Sequence, residues 1–172
     1  MRPRILFSIC CAPLLLSAQD NLTTTVIQRY FSAARMNMEA AAEVMPADKY
    51  GFKLTSGQMS FAEWIHHSTE DNYADCAVLK SEPVPDAAKA VTDLKEKAEV
   101  VKALKASFDY CVAAFNGLND QKVLASPQMT YSLLHIAVHN NEVYGNIVGY
   151  LRTSGIVPPS TARRAGQKGG KK

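Results

Sequence analysis

The stretch LLHIAVHNNEVYGNIV, residues 133–148, sets His135 and His139 four residues apart, and the next step of four lands on Val143. Side chains at i and i+4 of a helix project from one face. Two imidazoles at that spacing can share one divalent ion, provided another segment supplies the remaining ligands. The other two histidines, His66 and His67, are consecutive in WIHHSTEDNY, with Glu70 and Asp71 one turn beyond on the His67 side, while Glu142 follows on the side of His139. A helical histidine pair with no third fixed ligand is more often structural than metal-bound, so the spacing opens the question without answering it. Ser68 stands near these histidines but in no nucleophile turn, which argues against a Ser/His hydrolase.

Four helices must position these groups. Ile27, Tyr30, Phe31, Ala34, Met38, Ala41, Ala42 and Met45 recur at three and four, predicting a helix over 23–45 that Pro46 ends. A second is predicted over 58–80, with Phe61, Ile65, Cys76 and Leu79 on one face. A third spans 95–117 on the stripe Val101, Leu104, Phe108, Cys111, Val112 and Phe115. The fourth starts at the cap-and-proline pair Ser126-Pro127 and ends near residue 153, with Gly155 beyond. Four amphipathic helices of this length make an all-α four-helix bundle the expected fold. Antiparallel neighbours in bundles are joined by ~2–8 residues. The longer link over 81–94, with two early prolines, suits a crossover between helices 2 and 3 that leaves them parallel. Gly145, inside the fourth helix, is expected to permit a close backbone approach, since glycine there costs ~1 kcal/mol against alanine.

The 172 residues, 47% hydrophobic and 20% charged, suffice for one domain with a proper core. MRPRILFSICCAPLLLSA has the layout of a secretory signal, two arginines, an apolar run and small residues, so residues 1–18 are expected to be removed and the protein exported to the periplasm or beyond. No later segment could span a membrane. Without Arg2 and Arg4 the formal charge falls from +3 to +1, and without the five basic residues of 161–172 it falls to −4. The basic balance therefore belongs to an expected disordered tail over 161–172, and the domain, 19–160, carries no basic patch for nucleic acid. Cys76 and Cys111 remain after export. In parallel second and third helices they stand at comparable heights, so a disulfide and a crossover support each other; two inert buried thiols are the alternative.

The blocks SFAEWIHHSTEDNYADCAVLK and MTYSLLHIAVHNNEVYGNIVGYLRTSGIVPPS resemble the DinB-like (DinB/YfiT) superfamily over most of the mature chain. That resemblance implies an up-down-down-up bundle and a divalent ion, commonly nickel or zinc, held by three histidines, one on the second helix and two on the fourth. Residue by residue, it assigns the ligand roles to His67 and His139, and the third to position 143, where Val143 stands. An aliphatic group cannot coordinate. His135 and Glu142 are the candidate substitutes, the second giving a 2-His-1-carboxylate set with His67 and His139; Glu70 and Asp71 would serve as outer acceptors that orient His67.

Two functions follow from different classes. One is an exported bundle whose metal site is vestigial or altered and whose pocket binds an unidentified small molecule. The other is a metal-dependent enzyme, thiol transferase or isomerase by resemblance, or a hydrolase, which export suits better because small thiols are scarce in an oxidising exterior. A homodimer through helix faces is open, and no exposed apolar stripe stands out in the sequence.

Overall fold

Serine caps and prolines punctuate the chain. The computed structural model describes residues 21–169; the expected signal segment, 1–18, and the last three residues lie outside them. In chain order the helices are α1 (Leu22–Val44), α2 (Phe61–Lys80), α3 (Asp86–Lys89), α4 (Lys97–Phe115), α5 (Asp120–Leu124), α6 (Pro127–Thr153) and α7 (Pro159–Gly169), with single 3₁₀ turns at Ala47–Lys49 and Val91–Asp93. The protein is all-α: no strand occurs among the described residues.

At the start of α2, Ser60 and Glu63 form a reciprocal capping box: the Glu63 N–H donates to Ser60 Oγ at 3.3 Å and the Ser60 N–H to Glu63 Oε2 at 2.5 Å. The bonds from Ser60, with Lys53 nearby, hold the Glu63 carboxyl down at about 2. Ser126 Oγ accepts the Met129 N–H at 3.3 Å and Pro127 opens α6. The first turn of α1 is capped from a distance, by Asp120 of α5, whose two oxygens accept the Thr23 and Thr24 N–H groups at 2.8 Å each.

The core lies among the four long helices, where Phe31 and Met38 meet Phe61, Ile65, Leu104, Phe108, Leu133, Ile136, Ile147 and Tyr150. Phe31 of α1 sits 5.4 Å from Phe108 and 5.1 Å from Phe115 of α4, ring centre to ring centre. Between α2 and α4 the pairs Asn72–Ser107 and Cys76–Cys111 advance together along both helices. Between α2 and α6 the pairs Ser68–Asn140, Asp71–His139 and Asp75–His135 advance in opposite senses. Cys76 and Cys111, both fully buried, are joined by a disulfide with Cα atoms 5.2 Å apart.

Two expectations are corrected. The expected disordered tail is helical through Gly169 as α7, because its start is anchored: Pro158 and Pro159 are buried, and the Tyr144 hydroxyl donates to Ser160 Oγ at 2.9 Å while accepting the Ser160 N–H at 3.1 Å. Residues 161–167 are nonetheless exposed, as solvated residues should be. Gly145 is no packing glycine either, since a Cβ there would meet nothing within 4 Å; Gly149, one turn on, faces Leu54 Cδ1 at 3.1 Å instead. Gly145→Ala is therefore expected to raise stability by about 1 kcal/mol, read as a higher urea midpoint at unchanged slope; a lower midpoint would show a contact missed here.

No helix among the described residues is long and apolar enough to cross a membrane. An open apolar groove of about 650 Å³ does run between α1 and α6, with Val26, Tyr30, Leu134 and Val138 exposed along it.

Candidate metal centre

His67 and Asp71, one turn apart on α2, meet His139 of α6 across the helix interface. One donor atom from each lies within 4.8 Å of the others. The two imidazoles stand edge to face, ring centres 4.7 Å apart. Asp71 Oδ2 lies 2.8 Å from His139 Nε2 and 3.6 Å from His67 Nε2. Despite the short approach to Asp71, His139 Nε2 is buried and has no properly aligned hydrogen bond. A buried imidazole nitrogen this close to a carboxylate can share a proton with it, and with His67 beside the pair the same three groups can share a cation instead.

The donor spacing agrees. A tetrahedral ion bonded at ~2.0–2.2 Å to nitrogen and oxygen holds its donors roughly 3.4 Å apart, so small side-chain adjustments close this set onto one ion. The side chains of His67 and Asp71 are about one-third exposed, at 34% and 30%, which leaves a solvent-side approach for water or another molecule.

Charge follows the same geometry. The Asp71 carboxylate, then Glu142, raise His139 above the ordinary imidazole value of 6.5 against the opposing effect of burial. Burial would raise Asp71, but His139 and the other facing histidines outweigh it and the carboxyl is lowered. In the ion-free protein the His139 contribution to stability is fully present below 6.5 and is lost as pH rises through its raised value. The Asp71 contribution is present above the ordinary carboxylate value and lost as pH falls through its lowered one. Chelator-treated protein is thus expected to show a lower urea midpoint at pH 8 than at pH 6, with a smaller difference in His139→Gln; equal differences would contradict this coupling.

The remaining sequence candidates stand outside the cluster. His135 Nδ1 pairs with Asp75 Oδ2 at 2.7 Å, and its ring stacks on His139 at 4.9 Å, with Tyr131 stacked beyond. Glu142 Oε2 lies 3.7 Å from Nδ1 of His139, the nitrogen facing away from Asp71, where it can orient the ring. Val143 is packed in the core, 1% exposed. Asp71, expected as an outer acceptor, is the carboxylate inside the cluster. Its sequence signal was its place four residues after His67 on the same face.

A buried polar ladder lies directly beneath. Ser68 Oγ donates to Asn140 Oδ1 at 2.7 Å, Asn140 Nδ2 donates to Asn72 Oδ1 at 2.8 Å, and Asn72 Nδ2 donates to Ser107 Oγ at 3.0 Å. Each cluster residue is followed in sequence by a rung of this ladder: His67 by Ser68, Asp71 by Asn72, His139 by Asn140. The ladder therefore fixes the register of α2 against α6 at the height of the donors.

The family model of the DinB superfamily matches residues 30–142, roughly two-thirds of the chain. The chain belongs to the DinB superfamily. The matched span of this DinB protein contains His67, Asp71, His135 and His139, and ends one residue before Val143. No curated protein and no solved structure matches significantly. DinB membership and a His/Asp group able to hold an ion thus coincide in one helix interface.

Proposed function

We propose that this DinB protein is an exported divalent-metal protein in which Asp71 replaces the ligand that Val143 cannot provide. The observation that carries the reading is the convergence of His67, Asp71 and His139, one donor atom of each within 4.8 Å of the others, with the Asp71 carboxylate 2.8 Å from the buried His139 Nε2. Two imidazoles and one carboxylate suit zinc or nickel and leave coordination open to water. When bound, the ion would acidify water or polarise a carbonyl, the chemistry of a metal-assisted hydrolase. His67, Asp71 and His139 would hold it, Glu142 would orient His139, and the Asp75–His135 pair would brace the ring stack from above. This favours the enzyme reading with a substitute third ligand over a decayed site, and it differs from the set with His135 or Glu142.

Topology and location belong to the same proposal. The paired residues of α2 with α4, and of α2 with α6, support an up-down-down-up bundle with 81–96 as its crossover. The signal-like segment and the Cys76–Cys111 disulfide support export, since such bonds persist in oxidising compartments. The test is elemental analysis of untagged protein purified from the exported fraction. About one zinc or nickel per chain, lost in His139→Ala, is expected; a metal-free chain after loading, or full metal in His139→Ala, would defeat the reading.

A further inference from the structure

His66 turns away from the metal cluster and lines a cleft of about 550 Å³ between α2, the connector after α1 and the crossover. It is 7% exposed, and its Nε2 is buried without a hydrogen-bond partner. A buried polar atom left unpaired is destabilising; because Nε2 has almost no accessible surface, a molecule in the cleft would relieve this only if the His66 ring turned toward it. The walls are mixed. Tyr50, Met59 and Leu94 supply apolar surface, while Glu70 and Lys95 bring opposite charges that form no ion pair with each other. The third charged group, Glu63, is already engaged by the Ser60 N–H and by Lys53 at 3.2 Å. Lys95 donates only to the Thr92 carbonyl, at 3.0 Å.

A cation and an anion that line one partly apolar cleft without pairing are complementary to a molecule carrying both charges. We infer that this cleft binds a free amino acid with an apolar side chain, its carboxylate toward Lys95, its ammonium toward Glu70, and one polar atom bonded to His66 Nε2. The tautomer of His66 adapts to a donor or an acceptor, so the imidazole adds affinity without fixing the sign of its partner. The cleft reaches the metal cluster only through His67, which lines both. Its occupancy therefore does not require the ion, although a bound amino acid would lie beside it.

The test is isothermal titration of chelator-treated protein with L-phenylalanine, 3-phenylpropionate and 2-phenylethylamine, which separate the two charges on one apolar frame. Because His139 and Asp71 do not line the cleft, a failed metal centre would leave this binding intact, and the two readings fail separately. Saturable binding of phenylalanine is expected, at least tenfold tighter than that of either analogue. Glu70→Gln and Lys95→Gln lie on accessible surface and should fold; each should weaken phenylalanine at least tenfold, and His66→Phe should do the same. Equal binding of the acid would mean an anion site, equal binding of the amine a cation site, and no saturable binding an empty cleft; any of these overturns the inference.

Discussion

Asn140→Leu is expected to remove about 3 kcal/mol or more of folding stability, although the two side chains are similar in size. Asn140 is 1% exposed and donates to both Asn72 Oδ1 and the Ile136 carbonyl at 2.8 Å while accepting from Ser68 at 2.7 Å. Leucine fills the space but strands the Ser68 hydroxyl and the Asn72 carbonyl oxygen, both at residues of zero exposure. Each orphan costs about 1–3 kcal/mol, and burial of the new methyl groups offsets only part. Thermal unfolding should drop by roughly 10 °C at ~2–4 °C per kcal/mol for a domain of this size. Adding Ser68→Ala should recover part of the loss, because it removes one of the stranded groups. A shift below about 1 kcal/mol would mean that the ladder does not hold α2 against α6. The variant should also bind metal more weakly per unit of stability lost than a core cavity such as Ile147→Val, since the ladder sets the height at which the donors meet.

The second large effect belongs to the disulfide. Cys76 and Cys111 are 35 residues apart in sequence, and closing a loop of that length restricts the unfolded chain by about 4 kcal/mol in the chain-entropy model. Both half-cystines are fully buried, so reductant reaches them only after unfolding. Urea unfolding with and without dithiothreitol should therefore differ clearly in midpoint, and refolding under reducing conditions should return the less stable form. Coincident curves would show that the bridge contributes nothing, and would weaken the case for an oxidising location. The loop it closes contains the crossover and its cleft wall, Thr92 to Lys95, so the reduced protein should lose protection there first.

The sequence shows the long helices well because their signals are local. Periodic apolar positions and Ser126-Pro127 give α1, α2, α4 and α6 to within three residues; the predicted start of α2 is three residues early because it overlooks the Ser60–Glu63 box. The sequence says less where a nonlocal partner decides. The cap of α1 comes from Asp120, nearly a hundred residues away. The helical state of α7 depends on Tyr144 reaching Ser160. Gly145 read as a packing glycine only because the neighbour of Gly149, Leu54, lies in a connector whose path no periodicity reveals.

The candidate site divides in the same way. His67 and His139 were legible by resemblance, and both stand in the cluster. In the sequence Asp71 reads as an outer acceptor beside His67 alone; its approach to His139 depends on the rotation of α2 relative to α6, which no local signal gives. His135 looked like a ligand by spacing, yet Asp75, invisible as its partner until the helices are packed, takes its Nδ1. The cleft at His66 left no sequence signal, since it needs the crossover to fold back over α2.

Zinc affinity of Asp71→Asn compared with Val143→His tests the Asp71 assignment most directly. Asparagine keeps the shape of the side chain and removes its charge, so affinity should fall at least a hundredfold, while histidine at the core position 143 should bring no comparable gain. Unchanged affinity in Asp71→Asn, or tight binding that appears only in Val143→His, would mean that the carboxylate is a bystander beside a site that has lost its third ligand.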